Sequence, residues 1–243
     1  MKSISQDLVA HTHALGFISL VKVTANEDET LIESISDTRS VVIQGKSKQP
    51  IKEFTGVFGM PNLNKLQIHL NCPEYKENAK IKIVSSERNG EVVPTGIHFE
   101  NLAGDFKNDY RFMAPEVINE KLKSAKFKGA NWDIVFEPSA AAIQRLKLQA
   151  NAHSEENVLQ VSIVDTNLIV SFGDESTHAG SYIFEPGVTG KLKNVWSWPI
   201  AELIGILNLN GDKTVNISDG GAMKISIDSG VAEYDYILPA QTK

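Results

Sequence analysis

Two five-residue stretches decide the fold: Val-Phe-Gly-Met-Pro at positions 57–61 and Val-Trp-Ser-Trp-Pro at positions 195–199. Each contains a valine, an aromatic residue, a small residue, a bulky residue and a proline in the same order. Each also precedes a helical pattern, and the two prolines lie 138 positions apart. Self-similarity at a fixed spacing indicates a repeated structural unit, so the pair points to an internal repeat.

Two further matches follow in the same order along the chain. Residues 34–37 resemble residues 171–174 at a spacing of 137, and residues 109–115 resemble residues 233–239 at a spacing of 124. The difference between 138 and 124 places about 14 additional residues in the first copy, between its proline-led helix and its last strand.

The repeat predicts two similar domains, 1–114 and 129–243, joined by a connector at 115–128. Each copy reads as a helix, strands, a second helix led by Pro61 or Pro199, and further strands. Pro61 suits the first position of its helix, because proline lacks the N–H that is unsatisfied there. The pattern predicts an α+β fold with extended antiparallel sheets and few helices.

Composition limits the classes of function. The chain has 243 residues, 42% of them hydrophobic, and a net charge of -6, which argues against a protein that grips nucleic acid over its whole surface. No apolar run is long enough for a membrane helix, and the N-terminus lacks the apolar segment of a signal peptide, so we expect a cytosolic protein. A single cysteine, Cys72, excludes an internal disulfide or a multi-cysteine metal site.

No catalytic constellation is found in the sequence. Gly45-Lys46-Ser47 resembles the end of a phosphate-binding loop, but Ser40 stands where that motif needs glycine. The paired acids Asp105 and Asp109 have no positioned base or metal ligand beside them in the sequence. We therefore expect no enzyme activity, no metal site and no cofactor.

Two helices share an outward pattern of amide and cation. After Pro61 the outward residues include Asn64 and Lys65, and in the helix that begins near Ser139 they include Gln144 and Arg145, with Lys147 at the flank. From the residues alone, an ordinary solvated helix surface explains this pattern better than a DNA-facing surface does.

The chain resembles the DNA polymerase sliding clamps. The resemblance rests on the twofold repeat, the proline-led second helix and the C-terminal strand at 234–240. The segments 60–63, 104–113 and 172–174 are most similar to the clamps of T-even-type and related marine phages. The resemblance implies a head-to-tail homotrimeric ring around double-stranded DNA, with helices lining the pore and sheets forming the outer wall.

The resemblance also implies three groups of site residues. The DNA-facing pore residues are Asn64, Lys65, Gln144, Arg145 and Lys147. The subunit interface uses the strands at 107–113 and 180–184, with Tyr110, Phe112, Ser181 and Ile183. The partner-peptide pocket comprises Val41, Val117, Ile118, Tyr236, Ile237, Leu238 and Pro239, and one of Ile237 and Leu238 is expected to point into the core instead.

The implied partners are a DNA polymerase, an ATP-driven clamp loader and late-transcription factors, with no membrane. The implied location is the cytoplasm of an infected bacterial host cell. The resemblance makes the chain a non-catalytic processivity factor. The alternative is a two-domain viral binding or structural protein that has the same fold but forms no ring.

Overall fold

The computed structural model describes residues 2–88, 90–123, 127–174, 176 and 178–241. The chain divides into two compact units, one formed by Met1–Lys126 with Ser229–Tyr234 and the other by Phe127–Asp228 with Asp235–Lys243. The predicted boundaries at 114 and 129 stay a prediction, and residues 124–126 of the predicted connector lie outside the described residues.

Among its described residues, the first unit contains three α-helices and two antiparallel sheets. Its elements are α1 (Lys2–His11), β1 (Leu20–Ala25), β2 (Thr30–Ile35), β3 (Val42–Ser47), β4 (Gly56–Pro61), α2 (Leu63–Asn71), β5 (Lys80–Arg88), β6 (Glu91–Glu100), β7 (Lys107–Arg111) and α3 (Pro115–Lys121). One sheet has the order β4-β1-β2-β3 and the other β5-β6-β7. In β2 buried and half-buried residues alternate, as expected of a strand with one face on the core.

The second unit repeats this plan. Its elements are β8 (Ile134–Phe136), α4 (Ala140–Ala152), β9 (Val158–Val164), β10 (Asn167–Phe172), β11 (Gly180–Glu185), β12 (Trp196–Pro199), α5 (Ile200–Leu207), β13 (Asp212–Ser218), β14 (Ala222–Asp228) and the second half of β15 (Ala232–Pro239). One sheet has the order β11-β10-β9-β12, and β13 pairs with both β14 and β8.

The additional residues of the first copy lie partly in a longer hairpin. Strands β5 and β6 have 9 and 10 residues, whereas β13 and β14, at the corresponding place in the second unit, have 7 each. Only Gly96–Glu100 of β6 pairs with β7. The β5–β6 hairpin of the first unit therefore extends beyond the stretch that pairs with β7.

The proline-led helices begin differently from the prediction. Pro61 is the last residue of β4, paired with Leu20, and α2 begins two residues later at Leu63. Asn62 between them has a left-handed backbone with φ 51°, a conformation that asparagine tolerates better than most residues. In the second unit Pro199 also ends a strand, and α5 starts at the next residue.

Helix α3 fastens the start of the predicted connector to the first unit. Ile118 is fully buried and packs with Leu122 against the partly buried Leu20, Ile35, Val57 and Met113. A Cβ added at Gly59 of β4 would lie 2.9 Å from Cδ1 of Ile118, so the glycine permits this close approach. The backbone of Gly59 also exchanges hydrogen bonds of 3.0 and 2.8 Å with Met113, just before the helix.

We predict that Ile118→Ala lowers the free energy of unfolding by about 2–5 kcal/mol, because it removes buried methyl groups and leaves a cavity beneath β4. Urea denaturation followed by circular dichroism measures the change. The matched control is Val117→Ala, one residue away, whose side chain is 43% exposed. Equal effects of the two substitutions would contradict the packing described for Ile118.

Candidate nucleic-acid interface and sheet edges

Helix α2 buries one face and exposes the predicted pore residues on another. Leu63, Leu66 and Leu70 are buried, and their spacing defines the core side of the helix. Asn64 and Lys65 are exposed to solvent. The structure therefore places both residues where a ligand outside the unit can reach them.

Helix α4 has the same arrangement in the second unit. The hydroxyl oxygen of Ser139 accepts a hydrogen bond of 3.1 Å from the backbone N–H of Ala142, which caps the helix start. Ala142 and Leu146 are buried, whereas Gln144 and Arg145 are exposed. Lys147 is half-buried at the flank of the exposed face.

Positive charge predominates on the four helices α1, α2, α4 and α5. Helices α1, α2, α4 and α5 carry four Lys or Arg residues and two acids, although the whole chain has a net charge of -6. One of the acids, Asp7, accepts a 2.8 Å hydrogen bond from the hydroxyl of Tyr234 and is directed into its own unit. Helices α2 and α4 contain no acidic residue at all.

His69 adds little positive charge to α2 at neutral pH. Burial lowers the pKa of its imidazole, and the charge of Lys65 lowers it further. The exposed cation of this helix is therefore Lys65.

Strand β7 forms one edge of the sheet β5-β6-β7 in the described part of the chain. Its exposed residues are Lys107, Asp109 and Arg111, which alternate with the inward-facing Asn108 and Tyr110. This is the period of two that a strand with one buried face shows. The alternation is already visible in the sequence, where it could have identified the three charged residues as the outward set.

The structure corrects the placement of the aromatic residues predicted for the subunit interface. Tyr110 is buried, and its hydroxyl donates a hydrogen bond to the carbonyl oxygen of Pro61. Burial also raises the pKa of the Tyr110 hydroxyl. Phe112 stacks on Phe58 with ring centroids 4.3 Å apart. Tyr110 therefore belongs to the core of the first unit, whereas Phe112, which follows β7, is half-buried. The exposed side chains of β7 itself are its charged residues.

A histidine links two carboxylates beside this edge. In His98 of β6, Nδ1 lies 2.8 Å from a carboxylate oxygen of Asp109, and Nε2 lies 3.3 Å from one of Glu100. Lys107 and Lys80 also approach Glu100, with nitrogen–oxygen distances of 3.4 and 3.8 Å. The hydrogen bond from His98, assisted by the two lysines, lowers the pKa of Glu100.

Strand β11 is the edge of the sheet β11-β10-β9-β12 among the residues that the structure describes. Ser181 and Ile183 are exposed, Ile183 by 44%, whereas Phe184 is buried. The predicted interface residues of this strand therefore do lie on its outward face. Gly180 begins the strand, and an added Cβ there would lie 2.6 Å from the ring of His153, so no larger residue fits without displacing that ring.

The residues predicted for the peptide pocket are mostly buried. Val41 and Ile118 in the first unit are fully covered, and so are Tyr236, Ile237 and Leu238 in the second. Both Ile237 and Leu238 are at most 3% exposed, so their burial does not distinguish which of the two would line a pocket. Strand β15 ends beneath Trp198, whose indole N–H donates to the carbonyl oxygen of Leu238 at 3.1 Å. Val117 and Pro239 keep exposed surface.

In the part of the chain that the structure describes, no helix is long and apolar enough to cross a membrane. Nor do the described residues contain a group of three or more His, Cys, Asp or Glu side chains arranged to hold a metal ion.

Solved structures resemble this chain over its whole length. No protein-family model and no curated protein matches the sequence. The PCNA of A. fulgidus, solved with the C-terminal region of FEN-1, covers 100% of this chain and 95% of its own, with a TM-score of 0.67 and 10% identity. The chain has the sliding-clamp fold.

Two further sliding clamps support the same conclusion. PCNA from Thermococcus kodakaraensis matches with a TM-score of 0.67 and 12% identity, covering 98% of this chain and 97% of its own. Proliferating Cellular Nuclear Antigen from Entamoeba histolytica matches with a TM-score of 0.66 and 9% identity, covering 99% of this chain and 94% of its own. The predicted α+β class, with antiparallel sheets in a two-domain clamp protomer, is confirmed.

We predict that His98→Ala makes the stability of the protein less sensitive to acid. The lowered pKa of Glu100 means that its contribution to stability is complete above the ordinary value of 4.5 and is lost as the pH falls through the lowered value. The urea midpoint of the wild type should therefore fall further between about pH 5 and pH 3 than that of the variant. His178→Ala, which removes an exposed histidine elsewhere, should behave like the wild type; parallel pH profiles for His98→Ala and wild type would contradict the coupling.

Proposed function

We propose that this protein is a DNA sliding clamp, a non-catalytic processivity factor whose homotrimeric ring encircles duplex DNA and tethers a replicative polymerase. The observation that carries the proposal is the positive surface of the helices in an acidic chain of sliding-clamp fold. Helices α2 and α4 together present Lys65, Arg145 and Lys147 without an acid, whereas the rest of the chain is strongly acidic.

A closed ring explains how so few cations suffice. A protein held by counterion release alone needs many phosphate contacts and loses affinity steeply with salt. A protein linked topologically to DNA leaves only when the ring opens, so the exposed cations need only centre the duplex. Asn64, Lys65, Gln144, Arg145 and Lys147 are then transient phosphate contacts without base recognition.

Two of the sheet edges in the described part of the chain, β7 and β11, suit ring closure. Strand β7 carries Lys107, Asp109 and Arg111 on its exposed face, whereas β11 carries Ser181 and Ile183. Because these edges differ, pairing β7 of one protomer with β11 of the next is a head-to-tail contact. Such contacts form a closed ring when the rotation that relates neighbouring protomers returns the last protomer to the first. Such pairing would also cover edges that otherwise promote aggregation.

Partner proteins are proposed to bind with short peptides at the pocket that the resemblance implies. Of its residues, Val117 in the first unit and Pro239 in the second keep exposed surface. A polymerase and an ATP-driven clamp loader would compete for it, and late-transcription factors are further candidates. The narrower resemblance to T-even-type and marine phage clamps, and with it a location in an infected bacterial cell, remains part of the proposal.

We predict that the native protein is a trimer of about 80 kDa, three times the chain mass of 26.7 kDa, in light scattering after size exclusion. Ile183→Arg should reduce it to monomers, because the added charge would be buried against the neighbouring strand. The far-ultraviolet circular dichroism of the variant should stay that of the folded chain.

The matched control for the interface is Val164→Arg, at a 55% exposed valine at the end of β9. This variant should remain trimeric. A wild-type mass that stays at 26.7 kDa across a dilution series would overturn the ring and favour a two-domain binding or structural protein of the same fold.

We predict that Lys65→Glu combined with Arg145→Glu shortens the DNA made per polymerase binding event by on the order of tenfold, because reversed charges repel the phosphates in the pore. Primer extension with excess trap DNA measures this length. The double variant Lys52→Glu with Lys191→Glu reverses one exposed lysine of each unit outside the helices and should leave the length unchanged. Normal processivity of the Lys65 and Arg145 variant, with its trimer intact, would exclude these residues as pore contacts.

A further inference from the structure

Helices α2 and α4 share a run of eight residues with the same surface pattern. Residues 64–71 read Asn-Lys-Leu-Gln-Ile-His-Leu-Asn, and residues 144–151 read Gln-Arg-Leu-Lys-Leu-Gln-Ala-Asn. In both runs an exposed amide, an exposed cation and a buried leucine come first, and an exposed aliphatic residue is fifth. The spacing of 80 is not that of the internal repeat, since α2 closes a strand series whereas α4 opens one. The similarity therefore does not follow from the duplication.

The fifth residues are unusual for an exposed helix surface. Ile68 is 59% exposed and Leu148 is 70% exposed. Each follows an exposed cation by three positions, Lys65 or Arg145, and so lies on the same face of its helix. The buried Leu66 and Leu146 fix the rotation of both helices, which keeps the aliphatic residues beside the cations.

The charge of these faces indicates the occupant. With exposed amides and cations and no acid on either helix, both faces complement a polyanion, and duplex DNA presents phosphates separated by neutral deoxyribose. An aliphatic side chain can lie against the sugar but cannot bind a phosphate. A single exposed aliphatic residue needs no explanation, but the same residue type at the same place beside the same neighbours on two helices does.

We infer that Ile68 and Leu148 face the DNA and keep the clamp's hold on it weak. The inference rests on the proposed function and assigns these residues a role in sliding. Each occupies a position where one more long cation would reach a further phosphate, and every added phosphate contact must be broken when the protein moves along the duplex. The aliphatic residues limit the number of such contacts while keeping the helix surface close to the sugar.

The test is the double variant Ile68→Lys with Leu148→Lys. Its binding to a duplex of about 30 base pairs, followed by fluorescence anisotropy across about 50–200 mM salt, should show a slope of log affinity against log salt that is steeper than that of the wild type by at least about one. Affinity at the lowest salt should rise by on the order of tenfold. If only the variant binds the duplex measurably and the wild type does not, that result would also support the inference, because the added cations would have strengthened the hold on DNA.

The controls separate charge from position. Val164→Lys adds a cation at a 55% exposed valine of β9 and should leave the salt slope unchanged. Ile68→Ala with Leu148→Ala removes the aliphatic groups without adding charge and should also leave the slope unchanged. Because lysine favours helix, we expect the test variant to fold; Ile68→Arg with Leu148→Arg provides the same charge if it does not.

Failure of this inference can be told from failure of the proposed function. A variant that is trimeric, supports processive synthesis and has the salt slope of the wild type would overturn the role of Ile68 and Leu148 and leave the clamp intact. An equal rise in slope for Val164→Lys would overturn it too, because the effect would then be one of net charge. A wild-type protein that is monomeric and does not support processive synthesis would overturn the proposed function itself.

Discussion

The surface of the helices depends on how their buried leucines are held. Leu63, Leu66 and Leu70 fix the rotation of α2, and Ala142 and Leu146 do the same for α4. A helix rotated by one residue would turn each cation about 100° toward the core, where an unpaired charge is costly. The apolar stripe therefore decides which polar groups face outward, and the positive surface proposed to face DNA follows from core packing.

The two sheet edges have different physical characters because their outward residues differ. β7 presents charged residues tied together through His98, Glu100 and Asp109, and β11 presents a serine and an isoleucine. The proposed head-to-tail contact joins two different surfaces, and these two edges meet that requirement. Beside the β7 edge, the hydrogen bond from His98 lowers the pKa of Glu100.

On the strands that the resemblance implies for the subunit interface, some of the named side chains are exposed and others are covered. Tyr110 and Phe112 lie on a predicted interface strand, yet they pack inward, because aromatic groups gain more from burial beside Phe58 than from exposure. The same is true of Ile118, which packs against Gly59 and fastens the connector instead of lining an open pocket. A resemblance that is carried over by position identifies a stretch of backbone. The direction of each side chain then depends on the strand's period of two and on what lies beneath the strand.

By itself the sequence determined the repeat, the α+β class and the amphipathic faces of α2 and α4, because these depend on the spacing of apolar residues along a continuous segment. Asn64, Lys65, Gln144 and Arg145 could be placed on outward faces for that reason. Only the tertiary structure decided that His98 meets Asp109 and Glu100, and that both Ile237 and Leu238 are buried. Those outcomes depend on which strands become neighbours and on what covers them, and contacts between distant segments leave no periodic signal in a single sequence.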